Sequence, residues 1–168
     1  MRNRLCRSAV LPLCVVAVAG MFGCTYLPDT AAVVEIDYPS RGEFAVVSPV
    51  LVGGCGTIDC HGNKFRNFRL VGEFTTRLDT GNNPSSPRTT DAELDANYDS
   101  LVSLEPEKLT AVVRGTHIPE YLTLVRKARG TEFHKAGKRW DKDSDADKCL
   151  VSWLTKQLDE DACRAANK

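Results

Sequence analysis

Four cysteines in two sequence-local pairs limit the possible folds of this 168-residue chain more than any other feature. Cys55 lies close to Cys60, and Cys149 lies close to Cys163, while the three other cysteines fall within the first 24 residues. Free thiols are rare in an oxidising compartment, so in an exported chain each pair is expected to be bonded. The count alone does not say whether each pair forms a disulfide or binds another group.

The first 23 residues have the pattern of an export signal. Three arginines precede a short apolar run, "AVLPLCVVAVAG", which is shorter than the roughly 20 residues that a membrane span needs. The junction "AGMFGC" resembles a bacterial lipoprotein cleavage box, which implies lipidation of Cys24. We therefore expect an exported chain, lipid-anchored at the periplasmic face of the inner or outer membrane. Plain cleavage that leaves Cys24 unmodified is the alternative.

The expected organisation has three parts. Residues 1–23 are the signal peptide, residues 24–48 are a tether or extended segment, and residues 49–168 are the folded domain. Without residues 1–23 the chain has 19 Lys and Arg against 22 Asp and Glu, a net charge of −3. This balance does not indicate a nucleic-acid partner.

The folded part is expected to be mainly α-helical, with long loops and little sheet. Thr90 and Glu93 form a capping-box pattern at the start of a helix that Pro106 ends. A short helix is expected over 121–130, and an amphipathic helix with an apolar face is expected after a cap at Ser144 or Asp143. Before Cys55, by contrast, the prolines at 28, 39 and 49 argue against a long helix.

The stretch "CGTIDCHG" combines the first cysteine pair with a histidine. Covalent haem attachment needs two thiols for the two vinyl groups and a histidine beside the second thiol as an axial iron ligand. Cys60 and His61 satisfy the second requirement, and Cys55 precedes Cys60 by four intervening residues rather than the usual two. The alternative is a Cys55–Cys60 disulfide with an exposed His61.

A second axial ligand must be His134 or His117. Both methionines lie in the signal segment, so the exported chain has no methionine ligand to offer. His134 lies in a glycine-bounded loop between two helices, whereas His117 is expected to be an exposed loop residue. Five aromatic residues are candidate walls of a haem crevice or ordinary core: Phe65, Phe68, Phe133, Trp140 and Trp153.

Three segments together resemble the monohaem cytochrome c domains of bacterial exported proteins and lipoproteins. They are "CHG", "LVRKARG…HKAG" and the closing "CLVSWL". The resemblance implies a small helical cytochrome c-like domain of the class I kind. It implies one covalent haem c, with His61 as proximal and His134 as distal ligand.

These features lead to an electron-transfer hypothesis. The chain is expected to be an electron carrier rather than an enzyme, with Cys55 and Cys60 as haem thioethers, Cys149 and Cys163 as a disulfide, and a redox partner protein. A five-coordinate haem would add small-molecule binding or catalysis. The alternative is a structural or binding lipoprotein that has two disulfides and no haem.

Overall fold

Short helices joined by long loops make up the described part of the chain. The computed structural model describes residues 34–73, 75–79 and 88–168, and Val34–Lys168 form one compact unit. The predicted signal peptide 1–23, the lipidation candidate Cys24 and the first residues of the predicted tether lie outside the described residues. None of the described helices is long and apolar enough to cross a membrane.

The described residues contain six α-helices and no strand, which confirms the mainly α class. The helices are α1 Phe44–Cys55, α2 Asp91–Val102, α3 Pro106–Val113, α4 Thr123–Arg129, α5 Asp145–Leu154 and α6 Glu160–Ala166, and a 3₁₀ turn covers Pro119–Tyr121. Long loops after α1 and α4 carry most of the residues that the sequence nominated for a site.

The argument from the prolines against a long helix before Cys55 is wrong. Helix α1 begins at Phe44, inside the predicted tether, and it contains Pro49. A proline inside a helix removes one hydrogen bond to the carbonyl four residues earlier and costs about 3 kcal/mol. That carbonyl belongs to Ala45, an exposed residue, and the opposite face of α1 is completely buried. Burial of several large apolar side chains, at about 1.5–3 kcal/mol each, outweighs the lost bond.

Helix α2 begins as the sequence predicts, but the chain after it differs from the expectation. Thr90 caps α2, and the reciprocal bonds of the capping box with Glu93 are both present. Pro106 does not end α2, which stops at Val102; it is the first residue of α3. Proline is tolerated there because the first turn of a helix leaves its N–H groups unbonded in any case.

An aromatic cluster joins the first and last parts of the fold. Phe44 of α1 lies 5.5 Å from Tyr98 of α2 and 5.1 Å from Trp153 of α5, measured between ring centres. The Trp153 indole N–H donates to the Ser40 carbonyl at 2.7 Å, and the Tyr98 hydroxyl donates to the Pro39 carbonyl at 3.0 Å. These contacts hold α1 in place and therefore position Cys55 at its C-terminal end.

Helices α5 and α6 form a closed hairpin at the end of the chain. Ser144 caps α5 by accepting a hydrogen bond from the Asp147 amide. Cys149 and Cys163 are disulfide-bonded, with their Cα atoms 4.6 Å apart, and both are buried. The disulfide keeps α6 against α5 and supports the buried face that includes Trp153.

A buried carboxylate fixes the loop before α2. Glu93 is fully buried and accepts hydrogen bonds from the Arg77 guanidinium at 2.8 Å, the Leu78 amide at 3.0 Å and the Thr90 amide at 2.9 Å. Burial alone raises the pKa of Glu93, but the bonds from Thr90, Arg77 and Leu78 outweigh it and lower the pKa below its ordinary 4.5. The carboxylate is therefore charged at neutral pH.

Replacing this carboxylate is expected to destabilise the fold. Glu93→Ala removes every bond that the carboxylate accepts, and it should lower the free energy of unfolding by about 3 kcal/mol at pH 7. The deficit should shrink as pH falls below 4.5, because the wild type then loses the contribution of its charged Glu93. Urea unfolding followed by circular dichroism at several pH values measures both effects.

Asp95 provides the control for this measurement. It lies on the exposed side of α2 and forms an ion pair with Arg41 at the surface. Asp95→Ala should cost at most about 1 kcal/mol. Equal losses for Glu93→Ala and Asp95→Ala would contradict the structural role of the buried carboxylate.

Candidate functional site

The loops that follow α1 and α4 face each other across a cleft. Its larger cavity has a volume of about 550 Å³, and a second cavity of about 470 Å³ adjoins it. His61 and His134 line both cavities. The apolar wall of the larger cavity comes from Cys55, Phe68, Leu104, Leu124 and Ala128. The volumes are typical of sites for small molecules or cofactors.

The Cys55–His61 segment is a compact turn at the end of α1. The His61 amide donates to the Cys55 carbonyl at 3.0 Å, and the Cys60 and Gly62 amides both donate to the Thr57 carbonyl at 2.9 Å. Position 62 requires glycine because the backbone there passes close to the Gly56 carbonyl oxygen, and a Cβ atom would lie only 2.2 Å from that oxygen. The glycine of "CHG" therefore lets the turn close and aim His61 into the cleft.

His61 is held in one tautomer by the backbone. Its Nδ1 lies 2.8 Å from the Phe68 carbonyl oxygen, and because a carbonyl only accepts, Nδ1 carries the proton. Burial lowers the pKa of His61, and the nearby His134 and Arg66 lower it further, although the Phe68 hydrogen bond acts in the opposite direction. The side chain is therefore neutral at pH 7, and its Nε2 lone pair is available to a metal ion.

His134 has the same arrangement on the opposite loop. Its Nδ1 lies 3.2 Å from the carbonyl oxygen of Gly137, which again leaves Nε2 as the free ring nitrogen. Gly130 and Gly137 both have a φ of 69°, a left-handed conformation that favours glycine, and they bound the loop. The Lys127 ammonium donates to the Phe133 carbonyl at 2.8 Å and ties the loop to α4.

The two imidazoles come together although they are far apart in the chain. Their ring centres are 6.0 Å apart, and the ring planes are 24° from parallel. His117 does not join them: it is exposed and stacks on Tyr121, with ring centres 4.3 Å apart. No group of three or more His, Cys, Asp and Glu side chains in the described residues forms a metal site.

The first cysteine pair lies beside His61 as two free thiols. Cys55 is buried in the wall of the larger cavity, and Cys60 is half-exposed in the second one. Burial raises the pKa of the Cys55 thiol to about 11, although Arg139 acts to lower it. Each cavity that His61 lines therefore also has one of the two cysteines in its wall.

The five candidate wall residues separate into three groups. Phe68 is buried against His61, with ring centres 4.7 Å apart. Phe65 and Phe133 lie at the cavity mouths and are 83% and 87% exposed. Trp140 is buried next to Gly54, and Trp153 belongs to the aromatic cluster with Phe44. Only Phe68 is therefore both buried and part of the cleft.

Sequence reasoning missed the opposite wall and the charges around the opening. Leu124 and Ala128 are one turn apart on α4, and this spacing could have indicated a shared apolar face. Glu105 anchors α4 by accepting a hydrogen bond from the Thr123 amide at 2.7 Å. Four cationic side chains also line the cavities: Arg66, Lys127, Lys135 and Arg139.

Comparison with known proteins does not assign the chain to a family. No family model, curated protein or solved structure matches it. The cytochrome c resemblance consequently depends on the motif residues alone, and it stays a prediction.

The two free thiols are expected to differ in reactivity when no group is attached to them. In protein made without cytochrome c maturation, iodoacetamide at about pH 8 should alkylate Cys60 well before Cys55. A pKa of about 11 leaves only about one Cys55 thiol in a thousand ionised at that pH. Tandem mass spectrometry of the peptide that contains both cysteines measures the two rates.

A Cys60→Ser variant is the control for the thiol measurement. Its remaining Cys55 should react slowly in the native protein and quickly in urea. Faster alkylation of Cys55 than of Cys60 in the native wild type would contradict the buried position of Cys55.

Proposed function

We propose that this chain is an exported, lipid-anchored c-type cytochrome domain that binds one haem c and transfers electrons. The main support is the pair of imidazoles: His61 and His134 face one cleft, each with a backbone carbonyl on Nδ1 and a free Nε2. Cys55, Cys60 and His61 are the residues that would hold the haem, and His134 is the proposed distal ligand.

The spacing of the two rings supports a shared iron ion. His61 and His134 would hold the iron through the free Nε2 atom of each ring. Their ring centres are 6.0 Å apart, so the two side chains lie close enough together to hold one ion. A porphyrin supplies the remaining ligands of haem iron, so two histidines from the protein are sufficient.

The thiols beside His61 support covalent attachment. Each thiol would add across one vinyl double bond: its sulfur bonds to one vinyl carbon and its proton moves to the other. Cys60 is adjacent to His61, and the turn brings the Cys55 carbonyl to the His61 amide, so both cysteines and the histidine belong to one hydrogen-bonded turn. The addition needs no oxidant and consumes both free thiols.

The protein's own residues would control the electron transfer. When bound, haem supplies a one-electron couple between ferric and ferrous iron. Phe68, Leu124 and Ala128 make one wall of the larger cavity apolar, and a low dielectric at that wall would affect the reduction potential. The Phe68 and Gly137 carbonyls orient the two imidazoles and increase their basicity as ligands.

Covalent haem is tested by producing the chain in a host with cytochrome c maturation machinery. After acid–acetone extraction, a pyridine haemochrome spectrum should show about one haem per chain still attached to the protein. A colourless protein with Cys55 disulfide-bonded to Cys60 would contradict the proposal and would favour a structural lipoprotein. Loss of membrane association in Cys24→Ser would test the lipid anchor separately.

The axial ligands are tested with three histidine variants. His134→Ala should keep covalent haem but lose the low-spin absorption spectrum, because the iron loses its distal ligand. His61→Ala should strongly reduce the amount of attached haem. His117→Ala is the matched control, since His117 is exposed and outside the cleft, and it should leave the spectrum unchanged. An unchanged spectrum in His134→Ala would contradict its assignment as the distal ligand.

A further inference from the structure

The positive charge of this acidic chain is concentrated around the cleft. Residues 53–69 and 127–140 together contain eight Lys and Arg but only two Asp and Glu, a net charge of +6. The rest of the chain after residue 23 contains 11 Lys and Arg and 20 Asp and Glu, a net charge of −9. The two cationic segments are the ones that form the opposing loops of the site.

Six residues define what we call the mouth face: Lys64, Phe65, Arg66, Phe133, Lys135 and Arg139. All six are exposed, and all except Lys64 line one or both cavities. Lys64 lies over the Phe65 ring, 5.1 Å from its centre. None of the four cations forms an ion pair with a described residue. The mouth face thus combines two exposed phenylalanines with four cations that form no ion pair within the described part of the chain.

We propose that the mouth face docks a protein with an acidic surface. Charge complementarity selects the partner: the face is cationic, whereas the remainder of this chain repels an acidic protein. Exposed aromatic residues with surrounding charges are typical of a protein interface, where the apolar centre gives affinity and the charges increase the association rate. That this acidic protein is the electron donor or acceptor is a further step, which rests on the proposed function.

A protein partner is favoured over a membrane surface by the position of the face. Asp59 and Glu132 lie among the cations, and such mixed charges suit a complementary protein better than a uniformly anionic bilayer. A membrane would also cover both cavity mouths, whereas a docked redox partner, under the proposed function, would place its own redox group close to His61 and His134.

The test measures binding of poly-L-glutamate, a model acidic polypeptide, by isothermal titration calorimetry. The full-length gene product is purified from an exporting host with cytochrome c maturation machinery. At about 20 mM salt the wild type should bind, and binding should weaken strongly at about 200 mM. Lys64→Gln/Lys135→Gln should raise the dissociation constant about tenfold.

The control variant Lys148→Gln/Lys168→Gln removes the same charge at exposed positions outside the mouth face. It should change the dissociation constant less than twofold. Equal weakening by the two double variants would overturn the proposal. Tighter binding to vesicles of phosphatidylcholine and phosphatidylglycerol than to poly-L-glutamate would also overturn it, because the occupant would then be a membrane. Self-association in sedimentation that Lys64→Gln/Lys135→Gln abolishes would overturn it as well, because the occupant would then be a second copy of the chain.

The haem content of the same preparations separates this inference from the proposed function. Colourless protein that binds poly-L-glutamate through the mouth face would keep the docking site and overturn the cytochrome proposal. Protein with covalent haem that does not bind would keep the cytochrome proposal and overturn the docking site.

Discussion

The burial of Phe44 between Tyr98 and Trp153 is the contact on which the site depends. It fixes α1 against α2 and α5, although α1 contains Pro49 and has few favourable local signals. Because α1 ends at Cys55, the same packing determines where the turn to His61 begins. The Cys149–Cys163 disulfide supports this arrangement from the other side, since it holds α6 against the helix that carries Trp153.

Two backbone carbonyls make His61 and His134 potential ligands, because each carbonyl contacts Nδ1 of one ring and leaves its Nε2 free. The Phe68 and Gly137 carbonyls each accept a hydrogen bond from Nδ1, so Nε2 is the nitrogen of each ring that is left for a ligand. The Phe68 carbonyl comes seven residues after His61 and the Gly137 carbonyl three residues after His134, and each loop therefore orients its own histidine independently. The cleft between them combines an apolar interior with a cationic opening, which suits a largely apolar group that exchanges electrons with a charged partner.

The sequence predicts the local features of this fold and misses those that depend on tertiary packing. The Thr90–Glu93 capping box acts within one helical turn, so its residues were sufficient to locate the start of α2. The sequence limited the cap of α5 to Ser144 or Asp143, and Ser144 is the cap in the structure. Pro49 and Pro106 gave wrong predictions, because proline was expected to prevent or end a helix. Pro49 is tolerated inside α1 because the helix buries apolar side chains, and Pro106 is tolerated because it is in the first turn of α3. The sequence indicated His61 and His134 as candidate ligands, but the distance between their rings depends on the folded loops and could not be derived from it. The cationic mouth face was missed because the net charge of −3 does not show how the charges are distributed.

The central claim is that His61 and His134 bind one iron ion within this cleft. Electron paramagnetic resonance of the oxidised protein, purified from a host with cytochrome c maturation machinery, tests it most directly. The account predicts a low-spin ferric signal typical of two imidazole ligands, which is replaced by a high-spin signal in His134→Ala. A high-spin signal in the wild type, or protein without haem iron, would contradict it.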